Sequence, residues 1–349
     1  MNSRDNDDDG EEGGEVFLDE DDILEEIPFD EEDLPDVDDD IGSDGDAEEP
    51  DDSVHVFTGH TDEVYAVMCS PTDPAMVATG GRDDKGFLWK IGRADWGSEL
   101  QGHTDSVSAL AFSADGQLLS SGGLDGLIQV WDATSGNRRC VLEGPGKGIE
   151  WVRWHPRGHL VLAGSEDSTL WMWNADKNSY LNVFSGHGDT NLHVVAGHPY
   201  HTEGLTCLAI TADSAVAITG SKDGVINSLM SHTDSVECIG LSSSHPWLAT
   251  AGMDQKLLIW DLQRSSQRCS CDHEEGVTCL SWLGASHFVA TGSVDGKIRV
   301  WDGLSGNCVK IFHGHTDVIQ SLSVSADGEH LVSASLDRTA RVFEISEFR

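Results

Sequence analysis

A short pattern recurs seven times between residue 53 and the end of the chain, and it constrains the fold more than any other feature. In each copy a strand-like apolar run ends at Trp or at a residue that replaces it. An acidic residue lies six positions before that closing residue. Because a sheet of such strands cannot bury both apolar faces alone, a period of about 42 residues predicts an all-β fold of stacked sheets. The seven acids are Asp83, Asp125, Asp167, Asp223, Asp254, Asp295 and Asp337.

Four copies contain a full quartet of His, Ser or Thr, Asp and Trp. The imidazole, hydroxyl, carboxylate and indole groups are able to satisfy one another's hydrogen bonds, so the quartets are predicted to be buried structural networks. A Ser–His–Asp set also suggests a catalytic triad, but its recurrence in copy after copy favours the structural role. The quartet residues are His60, Thr79, Asp83, Trp89, His103, Ser121, Asp125, Trp131, His232, Thr250, Asp254, Trp260, His273, Thr291, Asp295 and Trp301.

The stretches TGHTDEVYAV, QGHTDSVSAL and HGHTDVIQSL resemble the GH elements of the WD-repeat family, and LIQVWD and IRVWD resemble its closing strands. The resemblance covers residues 53–349 and implies a WD-repeat β-propeller of four-stranded blades. It also implies that the N-terminal strand pairs with the last blade and closes the ring. Seven blades are recognisable, and those ending at Trp173, Leu229 and Phe343 are degenerate.

The spacing of the closing residues is irregular at 185–200 and at 229–232, where steps of 56 and 31 residues replace the usual 41 or 42. FSGHGDT and NLHVVAGHPYH read as two outer strands in succession. Only two residues separate Leu229 from His232, so the usual outer strand is predicted to be absent there. We predict an eight-bladed parent that has undergone two internal losses. A natural seven-bladed ring with one three-stranded blade is the alternative, and sequencing the transcript across this region distinguishes the two.

Residues 1–52 contain 27 Asp and Glu residues against one basic residue, Arg4, in a chain of net charge −41. Such a segment buries too little apolar surface to offset its conformational entropy, so 1–52 is predicted to be a disordered acidic N-terminal arm and 53–349 the propeller. No signal peptide or membrane-spanning run is recognisable, and the eight cysteines are scattered. We therefore expect a reduced compartment, the cytoplasm with the nucleus as a further location, and no membrane insertion.

The segments TGGRDDKGFLWK, IEWVRWHPRGHLVLAG and GHPYHTEGLTC, together with the acidic leader, resemble the angio-associated migratory cell protein group. That group includes a fungal chaperone of a large-subunit ribosomal protein, so the resemblance implies a dedicated chaperone of a basic ribosomal protein during ribosome assembly. The charge supports this interpretation separately, because an acidic surface attracts basic proteins and disfavours nucleic acid. Two alternatives stay open: a signalling scaffold linked to cell migration and angiogenesis, and a substrate receptor of a cullin-type ubiquitin ligase.

In propellers of this family the narrower mouth is lined by residues just after the GH turn and just before the repeat acid. The positions that match are the candidate partner-binding residues Glu63, Tyr65, Arg82, Glu150, Glu166 and Glu237. GPGKG at 144–148 lacks the upstream Gly and the Ser or Thr of a phosphate-binding loop. Outside the quartets no acid, base and nucleophile converge, so we predict a non-enzymatic monomer without cofactor or metal.

Overall fold

Each repeat forms one antiparallel sheet of four strands in a computed structural model that describes residues 50–167, 169–184, 205–210, 217–223, 225–226, 229–230 and 232–349. Residues Glu49–Arg349 form one compact unit. Residues 1–49 of the acidic arm, with its predicted disorder, and the whole irregular segment at 185–200 lie outside the described residues. Over the described part of the chain, no helix has the length and apolar composition needed to cross a membrane.

The first three sheets follow the chain without interruption, and the strands of each lie side by side in sequence order. The first sheet contains β2 (Val64–Cys69), β3 (Met76–Gly81), β4 (Gly86–Lys90) and β5 (Arg93–Leu100). The second contains β6 (Val107–Phe112), β7 (Leu118–Gly123), β8 (Ile128–Asp132) and β9 (Arg138–Leu142). The third contains β10 (Ile149–Trp154), β11 (Leu160–Ser165), β12 (Leu170–Asn174) and β13 (Ser179–Phe184).

The next three sheets repeat this order. In the seventh sheet the outer strand is β1, the N-terminal strand of the chain. The fourth contains β14 (Leu205–Ile210), β15 (Ala217–Ser221), β16 (Val225–Ile226) and β17 (Leu229–Met230). The fifth contains β18 (Val236–Leu241), β19 (Trp247–Gly252), β20 (Lys256–Asp261) and β21 (Ser266–Asp272). The sixth contains β22 (Val277–Trp282), β23 (Phe288–Ser293), β24 (Ile298–Asp302) and β25 (Cys308–Phe312). The seventh contains β26 (Ile319–Val324), β27 (His330–Ser335), β28 (Ala340–Glu344) and β1 (His55–Phe57), and a 3-10 helix follows at Ser346–Phe348.

The first strands of successive sheets lie side by side around the ring. Strands β2, β6 and β10 pack in series, as do β14, β18, β22 and β26, and β26 packs against β2. Strand β1 pairs antiparallel with β28, so the N-terminal strand completes the last sheet as the resemblance implies. Asp52, which the sequence analysis placed in the arm, accepts a hydrogen bond of 2.8 Å from the backbone N–H of His313.

The fourth sheet has four strands, whereas its sequence predicts no outer strand and the alternative interpretation predicts a three-stranded blade. Strands β16 and β17 have two residues each, and Leu229 pairs with Ile226 across the turn. Leu229 therefore lies in the outer strand rather than at the end of the third strand, and the prediction that an outer strand is absent here is wrong. The physical reason is the short connection to His232, which leaves Leu229–Met230 as the chain that can pair with β16.

The third sheet has an incompletely covered face. Leu162 in β11 and Met172 in β12 pair with each other and are half-buried. The corresponding residues of five other sheets are fully buried at no more than 1% exposure: Ala78 with Leu88, Ser120 with Val130, Ala249 with Ile259, Ala290 with Val300, and Val332 with Val342. Among the described strands, β10 also lacks the extensive packing against β14 that the other neighbouring first strands show. Among the described residues, the third sheet and the next one therefore have the least contact of any neighbouring pair of sheets.

A histidine connects the second and third sheets on the side opposite the GH turns. His159 Nδ1 lies 2.9 Å from an Asp176 carboxylate oxygen, and its Nε2 lies 3.3 Å from one of Asp115. The hydrogen bond with Asp176, followed by that with Asp115, raises the pKa of His159 against the effect of burial. Hydrogen bonds from Ser113 and from the backbone of Gln117 lower the pKa of Asp115 to about 2, so this carboxylate stays charged near neutral pH.

We expect His159→Ala to lower the free energy of unfolding more at about pH 5.5 than at about pH 8.5. An imidazole with a raised folded-state pKa stabilises fully below its unfolded value of about 6.5, and this stabilisation is lost as pH rises through the folded value. Because the side chains are partly exposed, the difference should stay below about 1 kcal/mol. Urea denaturation at both pH values measures it, with His155→Ala in the same sheet as the control. Equal losses at the two pH values would refute the ion pair.

Candidate protein-binding face

The quartets of the second and fifth sheets are complete. In the second sheet, His103 Nδ1 lies 3.1 Å from Asp125 Oδ2 and its Nε2 lies 2.8 Å from Ser121 Oγ. The indole N–H of Trp131 donates to the same Ser121 oxygen at 2.9 Å. The fifth sheet repeats these contacts with His232, Thr250, Asp254 and Trp260 at distances of 2.9 to 3.0 Å.

These contacts fit a neutral imidazole in which Nδ1–H donates to the carboxylate and Nε2 accepts from the hydroxyl. Burial would raise the pKa of Asp125, but hydrogen bonds from His103 and from the backbone N–H of Thr104 hold it below its ordinary value. Ser121 and Thr250 are 0% exposed, so neither hydroxyl reaches a substrate. The arrangement is a structural network and offers no accessible nucleophile.

The first sheet departs from the full quartet at its tryptophan. His60 lies 2.9 Å from Asp83 and 3.0 Å from Thr79. Trp89 Nε1 is buried without a hydrogen-bond partner, and its ring stacks on Phe57 of the closing strand, with centroids 4.8 Å apart. The predicted indole contact is therefore missing here, because the stacking on Phe57 fixes the ring instead.

We expect Trp131→Phe to destabilise the protein by about 1 kcal/mol more than Trp89→Phe does. Both substitutions remove the same volume from a buried position, but only Trp131 loses a hydrogen bond, and a typical one contributes about 1 kcal/mol. Urea denaturation of the two variants measures the difference. Equal losses would show that the Trp89 indole is hydrogen-bonded in solution.

The sixth sheet departs from the full quartet at its aspartate. Thr291 lies 2.9 Å from both His273 Nε2 and Trp301 Nε1, but His273 Nδ1 has no hydrogen-bond partner. Asp295 instead accepts a hydrogen bond of 2.8 Å from Arg299, whose guanidinium is buried and requires a carboxylate. Burial and the nearby Arg299 lower the pKa of His273 to about 4. The predicted link from Asp295 to His273 is thus not formed.

Two degenerate copies use other contacts. In the seventh sheet, His315 lies 2.7 Å from Asp337 and 2.6 Å from Ser333, while Phe343 fills the tryptophan position. In the third sheet, Trp173 donates to the backbone oxygen of Glu143 at 3.2 Å, since Ala163 offers no hydroxyl.

The candidate partner-binding residues lie on one face, which we name the upper face. It is defined by the residue before each sheet's first strand, the first two residues of that strand, and the residue before each repeat acid. Backbone hydrogen bonds join the last of these positions to the first, from Arg82 to Glu63 at 2.8 Å and from Glu166 to Gly148 at 3.0 Å. Equivalent bonds recur from Leu124, Met253, Val294 and Leu336. The same hydrogen bond therefore places these residues on one side of six sheets, the first, second, third, fifth, sixth and seventh.

Three of the six candidates form one cluster in the first sheet. Glu63 accepts hydrogen bonds from Arg82 at 3.0 Å and from the hydroxyl of Tyr65 at 2.8 Å. Burial, followed by the hydrogen bond to Glu63, raises the pKa of Tyr65 to about 12. The cluster holds an aromatic ring at the start of β2, but Arg82 compensates the charge of Glu63.

The other three candidates are half-buried carboxylates of the third and fifth sheets. Glu150 follows the first residue of β10, Glu166 stands before Asp167, and Glu237 follows the first residue of β18. Glu237 accepts a hydrogen bond from the hydroxyl of Ser235. No described cation pairs with Glu166 or Glu237 within ion-pair distance, so these two contribute net negative charge to the upper face.

Sequence reasoning missed an apolar part of the same face. Met253, Val294 and Leu336 occupy the position of Arg82 and Glu166 in the fifth, sixth and seventh sheets. Met253 is 38% exposed, and Gly276 leaves room for its sulfur because a Cβ there would lie 2.6 Å from it. The position just before the repeat acid, which identified Arg82 and Glu166 as candidates, would also have identified these residues. The upper face thus combines carboxylates with an apolar stretch.

One cluster of the described residues has donor atoms close enough for a cation. Atoms of Asp327, Glu329 and His330 lie within 4.8 Å of one another on the lower face, the side opposite the upper face. Arg349 already pairs with Glu329 at 2.7 Å. An exposed acidic group with its own arginine does not by itself indicate a metal site.

Comparisons with known proteins agree with this architecture. The family profile described as WD domain, G-beta repeat matches residues 51–90, 97–132, 136–174, 189–228, 225–261, 265–302 and 306–344. The chain is 29% identical to the angio-associated migratory cell protein of Homo sapiens and of Canis lupus familiaris, in alignments of 353 residues covering 86% of this chain and 81% of the relative. Over 64 residues, 18% of this chain and 16% of the relative, it is 39% identical to an uncharacterized WD repeat-containing protein of Schizosaccharomyces pombe.

Proposed function

Because the chain belongs to the WD-repeat family, we propose that it is a non-catalytic protein-binding platform that chaperones a basic large-subunit ribosomal protein during ribosome assembly. The observation that carries the proposal is the acid surplus, a net charge of −41 together with the upper-face carboxylates Glu166 and Glu237. A negative surface steers a positively charged protein toward it and speeds their encounter.

The upper face also suits the chemistry of such a client. Ribosomal proteins carry basic segments interrupted by apolar residues. The carboxylates of the third and fifth sheets would pair with the cations, while Tyr65 and Met253 would contact the apolar side chains. Aromatic residues and methionine are enriched in protein interfaces, and a few such anchors contribute most of the binding energy. The same acidity disfavours RNA or DNA as a direct ligand.

Two other functions share the fold. The name of the relatives, angio-associated migratory cell protein, favours a signalling scaffold linked to cell migration and angiogenesis. A substrate receptor of a cullin-type ubiquitin ligase is less favoured, because such propellers often carry Arg two residues after the Trp–Asp pair. Thr134, Gln263 and Leu304 stand at that position here.

Affinity capture of a newly synthesised, tagged full-length chain from cytoplasmic extract tests the proposal. We expect one basic large-subunit ribosomal protein to be enriched and to be released as salt screens the attraction. Enrichment of membrane receptors would support the signalling scaffold, and enrichment of cullin-complex subunits the ligase receptor, and each would overturn the chaperone proposal. Imaging of the fluorescently tagged chain should place it in the cytoplasm with a further nuclear fraction.

A further inference from the structure

Two cysteines lie on the same face of the outer strand of the fifth sheet. Cys269 and Cys271 are two residues apart on β21, and alternate residues of a strand point to the same side. Cys269 pairs with Ile259 and Cys271 with Leu257 of the neighbouring strand β20. Cys269 is partly exposed, whereas Cys271 is 2% exposed. The pair therefore consists of one accessible thiol and one buried thiol.

A glycine of the sixth sheet lies against both sulfur atoms. Gly306 has φ +76° in the turn before β25, and a Cβ there would lie 3.5 Å from Cys269 Sγ and 4.0 Å from Cys271 Sγ. Cys271 Sγ also lies 3.4 Å from the Gly306 carbonyl oxygen. Because a positive φ favours glycine, this position has no side chain that would separate the thiols. The two thiols are also within hydrogen-bonding reach of each other.

The contact between the two thiols favours the thiolate of Cys269. When Cys269 ionises, the Cys271 thiol donates a hydrogen bond to its sulfur, and this bond lowers the pKa of Cys269 against the effect of burial. The charge of Arg268 acts in the same direction, and that of Asp302 acts against it. The same hydrogen bond, followed by burial, raises the pKa of Cys271. Because the thiolate is the reactive form of cysteine, Cys269 is the nucleophile of the pair and Cys271 stays protonated.

The second sheet has one of these thiols without the other. Cys140 pairs with Val130 at the position of Cys269, but Leu142 occupies the position of Cys271. Burial raises the pKa of Cys140. A thiol at this position of the repeat is therefore not activated by the fold alone, and the difference at Cys269 follows from its neighbour Cys271.

We propose that Cys269 and Cys271 form a modification site that hydroperoxides oxidise reversibly to a disulfide. The Cys269 thiolate attacks a peroxide oxygen, so that an S–O bond forms and the O–O bond breaks. The products are a sulfenic acid on Cys269 and one molecule of water or alcohol, which takes up the proton lost from the thiol. The Cys271 thiol then attacks the oxidised sulfur, an S–S bond forms, the S–O bond breaks, and water leaves with the Cys271 proton. One peroxide is reduced for each pair of thiols oxidised.

The spacing of the two cysteines permits this disulfide but strains it. Alternate residues of a strand have Cα atoms about 6.4 to 6.8 Å apart, at the upper end of the range of about 4.4 to 6.8 Å over which disulfides form. Strand β21 lies at the edge of its sheet and has a partner strand on one side alone, so it is able to adjust. A strained disulfide is easily reduced, and glutathione should therefore restore the two thiols. The site goes beyond the proposed client binding and does not depend on it.

Mass spectrometry of the full-length chain after brief exposure to hydrogen peroxide tests the proposal, once the remaining thiols have been blocked with N-ethylmaleimide. We expect Cys269 and Cys271 to escape blocking together, in a peptide that is lighter by two hydrogen atoms, and to be blocked fully again after reduction with glutathione. Before oxidation, iodoacetamide at neutral pH should modify Cys269 at least about tenfold faster than Cys140, which is also partly exposed.

Cys271→Ser should stop the reaction at the sulfenic acid of Cys269, which dimedone captures. Cys140→Ser is the matched control, because it removes a thiol from the equivalent position of the second sheet, and it should form the disulfide as the wild type does. Cys271→Ala replaces Cys271→Ser should the latter unfold, and circular dichroism checks each variant. Oxidation or alkylation of Cys140 as fast as that of Cys269, a disulfide that joins Cys269 to another cysteine, or a Cys269 that peroxide leaves reduced would overturn the proposal.

Discussion

Replacing Asp254 with alanine should lower the free energy of unfolding by about 3 kcal/mol, because it removes the acceptor of a fully buried network. The side chains of Asp254 and His232 are both 0% exposed. Asp254 accepts from His232 Nδ1 at 2.9 Å and from the backbone N–H of Thr233 at 3.2 Å. Burial would raise its pKa, but the hydrogen bond and charge interaction with His232 hold that pKa below its ordinary value. Without the carboxylate, the buried Nδ1–H of His232 remains unpaired and the backbone N–H of Thr233 loses its acceptor.

Urea denaturation measures this loss. Asp272→Ala is the control, since it removes the same charge from an exposed position of the same sheet and should cost no more than about 0.5 kcal/mol. Similar losses in the two variants would mean that the quartet of the fifth sheet does not stabilise the fold.

Replacing Phe57 with alanine should cost about 3 kcal/mol, because this ring fixes the strand that completes the seventh sheet. Phe57 stacks on Trp89 with an interplanar angle of 2° and contacts Phe87 edge-on, with centroids 5.4 Å apart. Its strand pairs with β28, so losing the ring weakens the junction between the first and last sheets.

Val54→Ala is the matched control for this change. Val54 is 57% exposed in the same segment, and its backbone N–H donates to the Val342 oxygen in either variant. Thermal denaturation should show a large loss for Phe57→Ala and almost none for Val54→Ala. If both variants unfold like the wild type, the N-terminal strand does not close the ring.

The regular sheets could be predicted from the sequence because each repeat carries its own signals. Gly116 after Asp115 has φ +69°, and its N–H donates to the Ser113 oxygen at 2.9 Å, so the Ala–Asp–Gly turn sets the pairing of β6 with β7. The quartets of the second and fifth sheets likewise follow from local spacing, because one hydroxyl satisfies both the imidazole and the indole.

The departures come from contacts between residues that no local spacing connects. Phe57 belongs to the seventh sheet and stacks on Trp89 of the first sheet. Asp295 pairs with Arg299 instead of His273, because a buried guanidinium needs a carboxylate partner more than an imidazole does. The two-residue strands of the fourth sheet were also missed, since they are too short to show an alternating pattern.

The eight-bladed parent stays a prediction. Seven sheets are described and seven segments match the family. Phe184, at 39% exposure, directly precedes in the chain the irregular segment whose spacing predicts a loss. A transcript that encodes another repeat between residues 184 and 205 would support the loss, whereas one continuous reading frame with no longer form would refute it.

The most direct test of the proposed function is the affinity of the purified full-length chain for a panel of purified basic large-subunit ribosomal proteins at several salt concentrations. One of them should bind, with an affinity that falls steeply as salt rises. Glu237→Lys on the upper face should weaken that binding about tenfold at low salt, while Glu347→Lys, the same charge change in the exposed 3-10 helix of the lower face, should change it less than about twofold. Binding of none of the proteins, binding indifferent to salt, or equal effects of the two variants would contradict an acidic upper face that holds a basic client.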